Sequence, residues 1–238
     1  MSHVEFTKEM KKTHTILVPM MLPIHFQFLR NILCKEGYRV EILKTEGQQI
    51  IDEGLKNVHN DTCYPALLVI GQMIDALKSG KYDTAHIALA ITQTGGGCRA
   101  SNYIHLLRKA LVQAGFEHVP VISVNFSQLE KNSGFKLTPK MLLRLLYAFL
   151  YGDMLMWIKN QCKPYELEKG STDALVTTWI DTITAQFDSL SYMRMKHNYQ
   201  EMLHDFAALP RSQKPKIQVG IVGEIYIKYA PLGNNELE

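Results

Sequence analysis

Two cysteines stand in turns of the kind that open helices. Cys98 lies within residues 92–103, Thr-Gln-Thr-Gly-Gly-Gly-Cys-Arg-Ala-Ser-Asn-Tyr, just after a strand-like apolar run, and Cys63 lies within residues 60–65, Asn-Asp-Thr-Cys-Tyr-Pro. A thiol at the start of a helix faces unpaired amides and the positive end of the helix dipole, which favours the thiolate, the form that attacks carbon or binds metal. Gly95, Gly96 and Gly97 carry no Cβ, so the backbone beside Cys98 can take up positive φ and turn several amides toward one anion. Such a loop suits a phosphate or a metal-sulfur cluster, and the neighbouring thiol favours the cluster, because thiolates are the usual ligands of iron-sulfur groups. The plainer reading is a tight turn or phosphate nest beside which Cys98 sits incidentally. Arg99 fits either, as a cation near a cluster or phosphate, or as a local cap or ion pair.

Other chemistries find less support in the residue pattern. Structural zinc uses closely spaced ligand pairs, and no Cys-x-x-Cys or His-x-x-x-His accompanies either cysteine. Neither a Walker loop nor a clean Gly-x-Gly-x-x-Gly occurs, and no Gly-x-Ser-x-Gly elbow marks a hydrolase. The nine histidines are spread singly, and a Cys98-His86 pair would have to reach from a strand to the loop beyond it. A 4Fe-4S cluster needs about four ligands, so Cys63 and Cys98 would supply two and other loops, another chain or a non-cysteine group the rest. Of the remaining cysteines, Cys34 falls near the apolar face of a predicted helix and reads as core. Cys162, in Lys-Asn-Gln-Cys-Lys-Pro, reads as a solvent-facing or half-buried thiol.

The elements that must hold these turns follow from apolar periodicity. Residues 15–18 read as a buried strand, 24–35 as a helix stopped by Gly37, and 38–43 as a second strand, a unit that implies a parallel pair. A helix over 48–58 precedes the Cys63 turn, and another follows it, with Pro65 in its first turn and Gly80 at its end. The unbroken block Ile87, Ala88, Leu89, Ala90, Ile91 suits a strand covered on both faces, so the Cys98 loop follows the carboxyl end of a central strand, where ligands of open α/β sheets sit. A helix over 103–114 and a strand over 119–124 complete the alternation. It predicts a doubly wound, mostly parallel, flavodoxin- or Rossmann-like sheet over residues 13–135, after a flexible segment 1–12.

Residues 136–210 differ: 139–158 and 172–209 are long and helical in period, with Thr138 and Ser171 or Thr172 as caps and Met141, Leu142, Leu145, Leu146, Phe149 and Leu150 as a core stripe. Residues 211–238 read as a linker and a strand over 216–226, which begins a second α/β unit or adds to the first. A chain closing so soon after a strand is expected to be a truncated piece of a larger protein. Its unfinished sheet invites pairing across a homodimer. The 238 residues carry a net charge of only +3, with Lys and Arg scattered, so the basic footprint of a nucleic-acid binder is missing. No apolar run reaches the roughly 20 residues that span a bilayer, and the polar start lacks the apolar stretch of a secretion signal; a cytoplasmic protein without membrane partners is expected. Four cysteines in so long a chain do not form a disulfide scaffold.

Asn-Asp-Thr-Cys-Tyr-Pro-Ala, Gly-Gly-Gly-Cys-Arg-Ala-Ser-Asn-Tyr and the later Val-Gly-Ile-Val-Gly-Glu-Ile-Tyr together resemble the 2-hydroxyacyl-CoA dehydratase superfamily, most of all the dehydratase-like module of activase-related proteins, over about residues 13–235. The resemblance implies that Cys63 and Cys98 ligate a 4Fe-4S cluster, with Gly95, Gly96, Gly97 and Arg99 around it and further ligands downstream. It implies a partner, an ATP-hydrolysing activase that injects a low-potential electron, and an acyl-CoA substrate that loses water by a radical route. Glu224 would then touch cluster or substrate, or remain an ordinary exposed carboxylate. Two alternatives stay open: a docking domain that holds an activase without metal, and a phosphate or nucleotide binder built on Gly95–Gly97.

Overall fold

The computed structural model describes residues 4–59, 61–93, 98–124 and 132–237, with the backbone alone at Arg99. The chain divides into two compact units. The first comprises Met1–Leu22, Leu33–Lys136 and Val222–Glu238, and the second Pro23–Ile32 and Leu137–Ile221.

A short helix α1 (Met10–Thr13) leads into β1 (Thr15–Pro19); after α2 (Pro23–Lys35), most of which belongs to the second unit, the first unit continues through β2 (Arg39–Leu43), α3 (Gln48–Asn57), α4 (Tyr64–Lys78), β3 (Ile87–Thr92), α5 (Tyr103–Ala114) and β4 (Val121–Val124). The four strands form one parallel sheet in the order β2-β1-β3-β4, registered Thr15 to Arg39, Thr15 to Ile87 and Leu89 to Val121. This is the expected α/β fold with a Rossmann-like parallel sheet. Every residue of β3 but Thr92 is buried, as an unbroken apolar strand between helical layers should be. Leu17, Leu68, Leu89, Ile104 and Leu107 belong to one core. Gly37 takes φ +85 and ends α2, its successor Tyr38 donating back to the Leu33 carbonyl at 3.1 Å. Helices α3 and α4 approach so closely at Gly54 and Gly71 that a Cβ on Gly71 would run into the Ile50 carbonyl and the Gly54 backbone.

The second unit is helical: α6 (Pro139–Cys162), α7 (Ser171–Gln186) and α8 (Met195–Ala208), with Pro23–Ile32 of α2. Its core joins Phe28, Ile32, Tyr151, Ile183, Phe187 and Phe206. The Tyr151 hydroxyl donates to the Tyr192 carbonyl at 2.6 Å and accepts from Asn198 at 2.7 Å, so this buried hydroxyl is paired. Thr138 caps α6 as its type predicts, accepting from the Met141 amide. The cap of α7 differs from expectation. Gly170 holds the cap position, and the Glu166 carboxylate, reaching forward, accepts from the Gly170 and Thr172 amides at 2.8 and 3.0 Å. The helical stretch expected over 172–209 breaks at residues 187–194, where Ser189 bonds the Gln186 carbonyl and the Ser191 amide and so competes with the helix ladder.

Five further expectations are corrected. The N-terminal segment is not free: Phe6 is fully buried, and its carbonyl accepts from the Gly134 amide at 2.9 Å. On α6 the buried face is Met141, Arg144, Ala148, Tyr151, Gly152, Leu155 and Ile158, while Leu146 and Phe149 of the expected core stripe are 56% and 55% exposed. That helix is apolar nearly all round, so periodicity could not choose a face; small residues did, since a Cβ on Gly152 would come within 2.6 Å of the His25 ring. Helix α6 and the turn after it also form a 27-residue helical span containing an 18-residue window of mean hydropathy 1.4, long and apolar enough to cross a membrane by length and composition, although its Tyr151 face lies in the second unit's core. Cys34 is exposed rather than core, and Cys162 is buried, with the Arg211 guanidinium 3.6 Å from its sulfur. Finally, residues 216–226 are not a strand. Ile217 is 93% exposed, and the chain turns helical at α9 (Ile225–Tyr229) and α10 (Pro231–Asn234). A strand exists only by pairing, and no fifth strand joins the sheet among the described residues.

Candidate functional site

The site lies in the first unit at the carboxyl edge of the sheet. Cys63 is the residue before α4, with extended φ −65 and ψ 148, and its carbonyl accepts the first bonds of the helix from Ala66 and Leu67 at 3.0 and 3.3 Å. Pro65 needs no acceptor in that first turn, so the sequence starts a helix here cleanly. Helices α3 and α4, on either side of this turn in the sequence, pack closely at Gly54 and Gly71.

Cys98 holds the matching place beyond β3. Its backbone is extended at φ −75 and ψ 146, and its sulfur accepts from the Ala100 amide at 3.5 Å at the mouth of a 3-10 turn, Arg99–Asn102, that runs straight into α5. Gln93, just past the end of β3, secures this turn. Its amide group donates to the Ser101 carbonyl at 3.1 Å, its side-chain oxygen accepts from Ser123 at 2.8 Å, and its backbone amide donates to Val124 of β4.

Tyr103, the first residue of α5, joins the two cysteine turns. Its hydroxyl lies 3.1 Å from the Cys63 sulfur, and its ring packs against the buried core. Burial pushes the Tyr103 hydroxyl far above the ordinary tyrosine range, and the hydrogen bond to Cys63 and the charges of Cys63, Cys98 and Glu224 act the same way. Glu224 is therefore close enough to be felt at the site, yet its carboxylate is engaged, accepting from the Tyr226 and Ile227 amides at 2.9 and 3.2 Å to cap α9. Tyr226 itself is buried, and burial, with Glu224 second, raises its hydroxyl's pKa. That hydroxyl has no hydrogen-bond partner among the described residues.

Of the residues singled out from sequence, Cys63 touches Tyr103, Cys98 is exposed at the turn that leads into the helix of Tyr103, and Glu224 is a helix cap. Gly95, Gly96 and Gly97 lie outside the described residues, as does the side chain of Arg99. Tyr103 and Gln93 went unnoticed. The available signals were a tyrosine opening the helix after a cysteine turn, and a buried-strand run ending in a side-chain amide.

Two thiols at helix mouths suit a soft metal group, and the amides of the first turns are placed to offset its negative charge. No group of three or more His, Cys, Asp or Glu able to hold a metal occurs among the described residues; Cys63 and Cys98 are two thiols of the roughly four ligands that a 4Fe-4S cluster takes. Compared with protein-family models, curated proteins and solved structures, the chain matches none.

Proposed function

We propose that the chain is a 4Fe-4S electron-transfer module related to the 2-hydroxyacyl-CoA dehydratases, serving with an ATP-dependent activase that supplies the electron. The observation that carries the reading is that the Tyr103 hydroxyl touches the Cys63 sulfur while Cys98 opens the turn that runs into the helix of Tyr103. Neither turn alone would argue for a metal group; two thiols at one sheet edge do. When bound, such a cluster accepts and passes on one electron at low potential. In this chain Cys63 and Cys98 would hold iron, and the first-turn amides would offset the cluster's charge, which helps set the potential. An acyl-CoA that loses water is the substrate class the reading implies for the larger assembly.

The test is iron and acid-labile sulfide content, with the visible spectrum, of the 238-residue protein reconstituted without oxygen. Wild type should take up iron and sulfide, and Cys63→Ser and Cys98→Ser should each lose most of it. Wild type with no more iron than the Cys63→Ser, Cys98→Ser double variant would sink the reading. A second reading, a docking module for the activase that needs no metal, is favoured by there being two thiols and no third ligand among the described residues. It expects the serine variants to bind an activase as wild type does.

A further inference from the structure

We propose that Tyr103 is the positioning residue of this centre: its hydroxyl donates a hydrogen bond to the Cys63 sulfur when that sulfur is bound to iron, which orients the thiolate and makes the cluster easier to reduce. The inference rests on the electron-transfer reading above and names a residue that reading does not contain.

The geometry comes first. The 3.1 Å contact joins residues 40 apart in sequence, one ahead of α4 and one opening α5, so it ties the two helix mouths together. With a free thiol either atom can donate. A metal-bound sulfur carries no hydrogen, so there the hydrogen must come from Tyr103. The donor is also held independently of the sulfur. Tyr103 opens a twelve-residue helix, and its ring packs on the core, so the hydroxyl stays in place whether or not Cys63 is occupied. The other nearby acceptors hold bonds of their own. The Cys98 sulfur accepts from the Ala100 amide, and Glu224, the nearby carboxylate, accepts from two amides of its own helix. Hydrogen bonds to cluster sulfurs favour the reduced, more negative state and are among the levers by which proteins set these potentials.

Tyr103→Phe keeps the ring and removes the hydroxyl. Two measurements on the full chain separate this role from bare packing: the midpoint potential of the reconstituted protein, and the infrared S–H stretch of Cys63 in metal-free protein, assigned by difference against Cys63→Ser. Tyr103→Phe should bind as much iron as wild type, with a midpoint potential more negative than wild type and a shifted Cys63 S–H band. Tyr82→Phe, which loses a hydroxyl bonded to Glu41, should leave both unchanged. A wild-type potential in an iron-replete Tyr103→Phe protein would overturn the proposal. An S–H band unmoved by Tyr103→Phe would overturn it too, whatever the iron content, and it remains readable if the variant loads cluster poorly. Wild type without iron would instead refute the electron-transfer reading, and this role with it.

Discussion

His14 shows how one side chain's surroundings set a pH dependence. It is buried where α1 passes into β1, its ring 5.6 Å from that of His86 and 6.4 Å from Phe6. Burial, and next the charge of His86, lower its pKa below the ordinary 6.5, while Asp83 pulls weakly the other way. The unfolded chain therefore binds this proton more readily than the folded one. Stability is full above pH 6.5, falls as pH drops from there toward the folded value, and changes no further below it as far as this group is concerned. His14→Gln, which cannot titrate, should lose less stability across that interval than wild type in urea denaturation at a series of pH values; equal losses would mean the proton is taken up elsewhere. At this scale the sequence was partly legible. Cys63 and Cys98 stood out because a thiol followed by a helix start is a local pattern. Tyr103 did not, because its meaning is a contact to a residue 40 positions away. Cys34 and Cys162 come out the opposite way: nearness to an apolar helix face did not bury Cys34, and polar neighbours in sequence did not expose Cys162.

Among the elements, α3 and α4 show what holds Cys63 in place. Gly71 has no room for a methyl group, because the added carbon would run into the Ile50 carbonyl and sit 2.9 Å from the Gly54 nitrogen, both backbone atoms that cannot swing aside. Gly71→Ala gains about 1 kcal/mol in helix propensity but forces two packed helices apart, an overpacking cost of about 1–3 kcal/mol or more. We expect net destabilisation, read as a lower urea midpoint, together with faster alkylation of Cys63 as its connection loosens. Gly220→Ala, where the new carbon meets nothing within 4 Å, should leave both unchanged. If both variants are as stable as wild type, the close approach of α3 and α4 is wrong. Strands and helices of the first unit were readable because each apolar run was short, of one period and closed by Gly or Pro. Helix α6 was readable as a helix but not as a face, because apolar residues surround it and only its partners single out Tyr151 and Leu155 over Leu146 and Phe149.

For the whole molecule the instructive stretch is residues 216–222. Its alternation, Ile217, Val219 and Ile221 with Gln218 and Gly220 between, is as good a strand pattern as β1. Yet alternation records only a willingness to pair, and the ladder bonds that make a strand come from a neighbour elsewhere in the chain or in another molecule. Here Ile217, Val219 and Val222 are exposed, and among the described residues the amides of 216–223 donate no hydrogen bond. Amide protection follows hydrogen bonding and burial, so residues 216–222 should exchange with deuterium at near the unprotected rate, while Ile87–Ile91 of the central strand exchange many times more slowly. Val219→Lys should change stability by no more than about 0.5 kcal/mol, since it removes no packed contact. Protection of 216–222 that disappears on dilution would mean this segment pairs with the edge of a second copy. Protection at every concentration, with Val219→Lys destabilising, would mean that the segment is a strand of this chain after all and that the extended, exposed course described for it is incorrect.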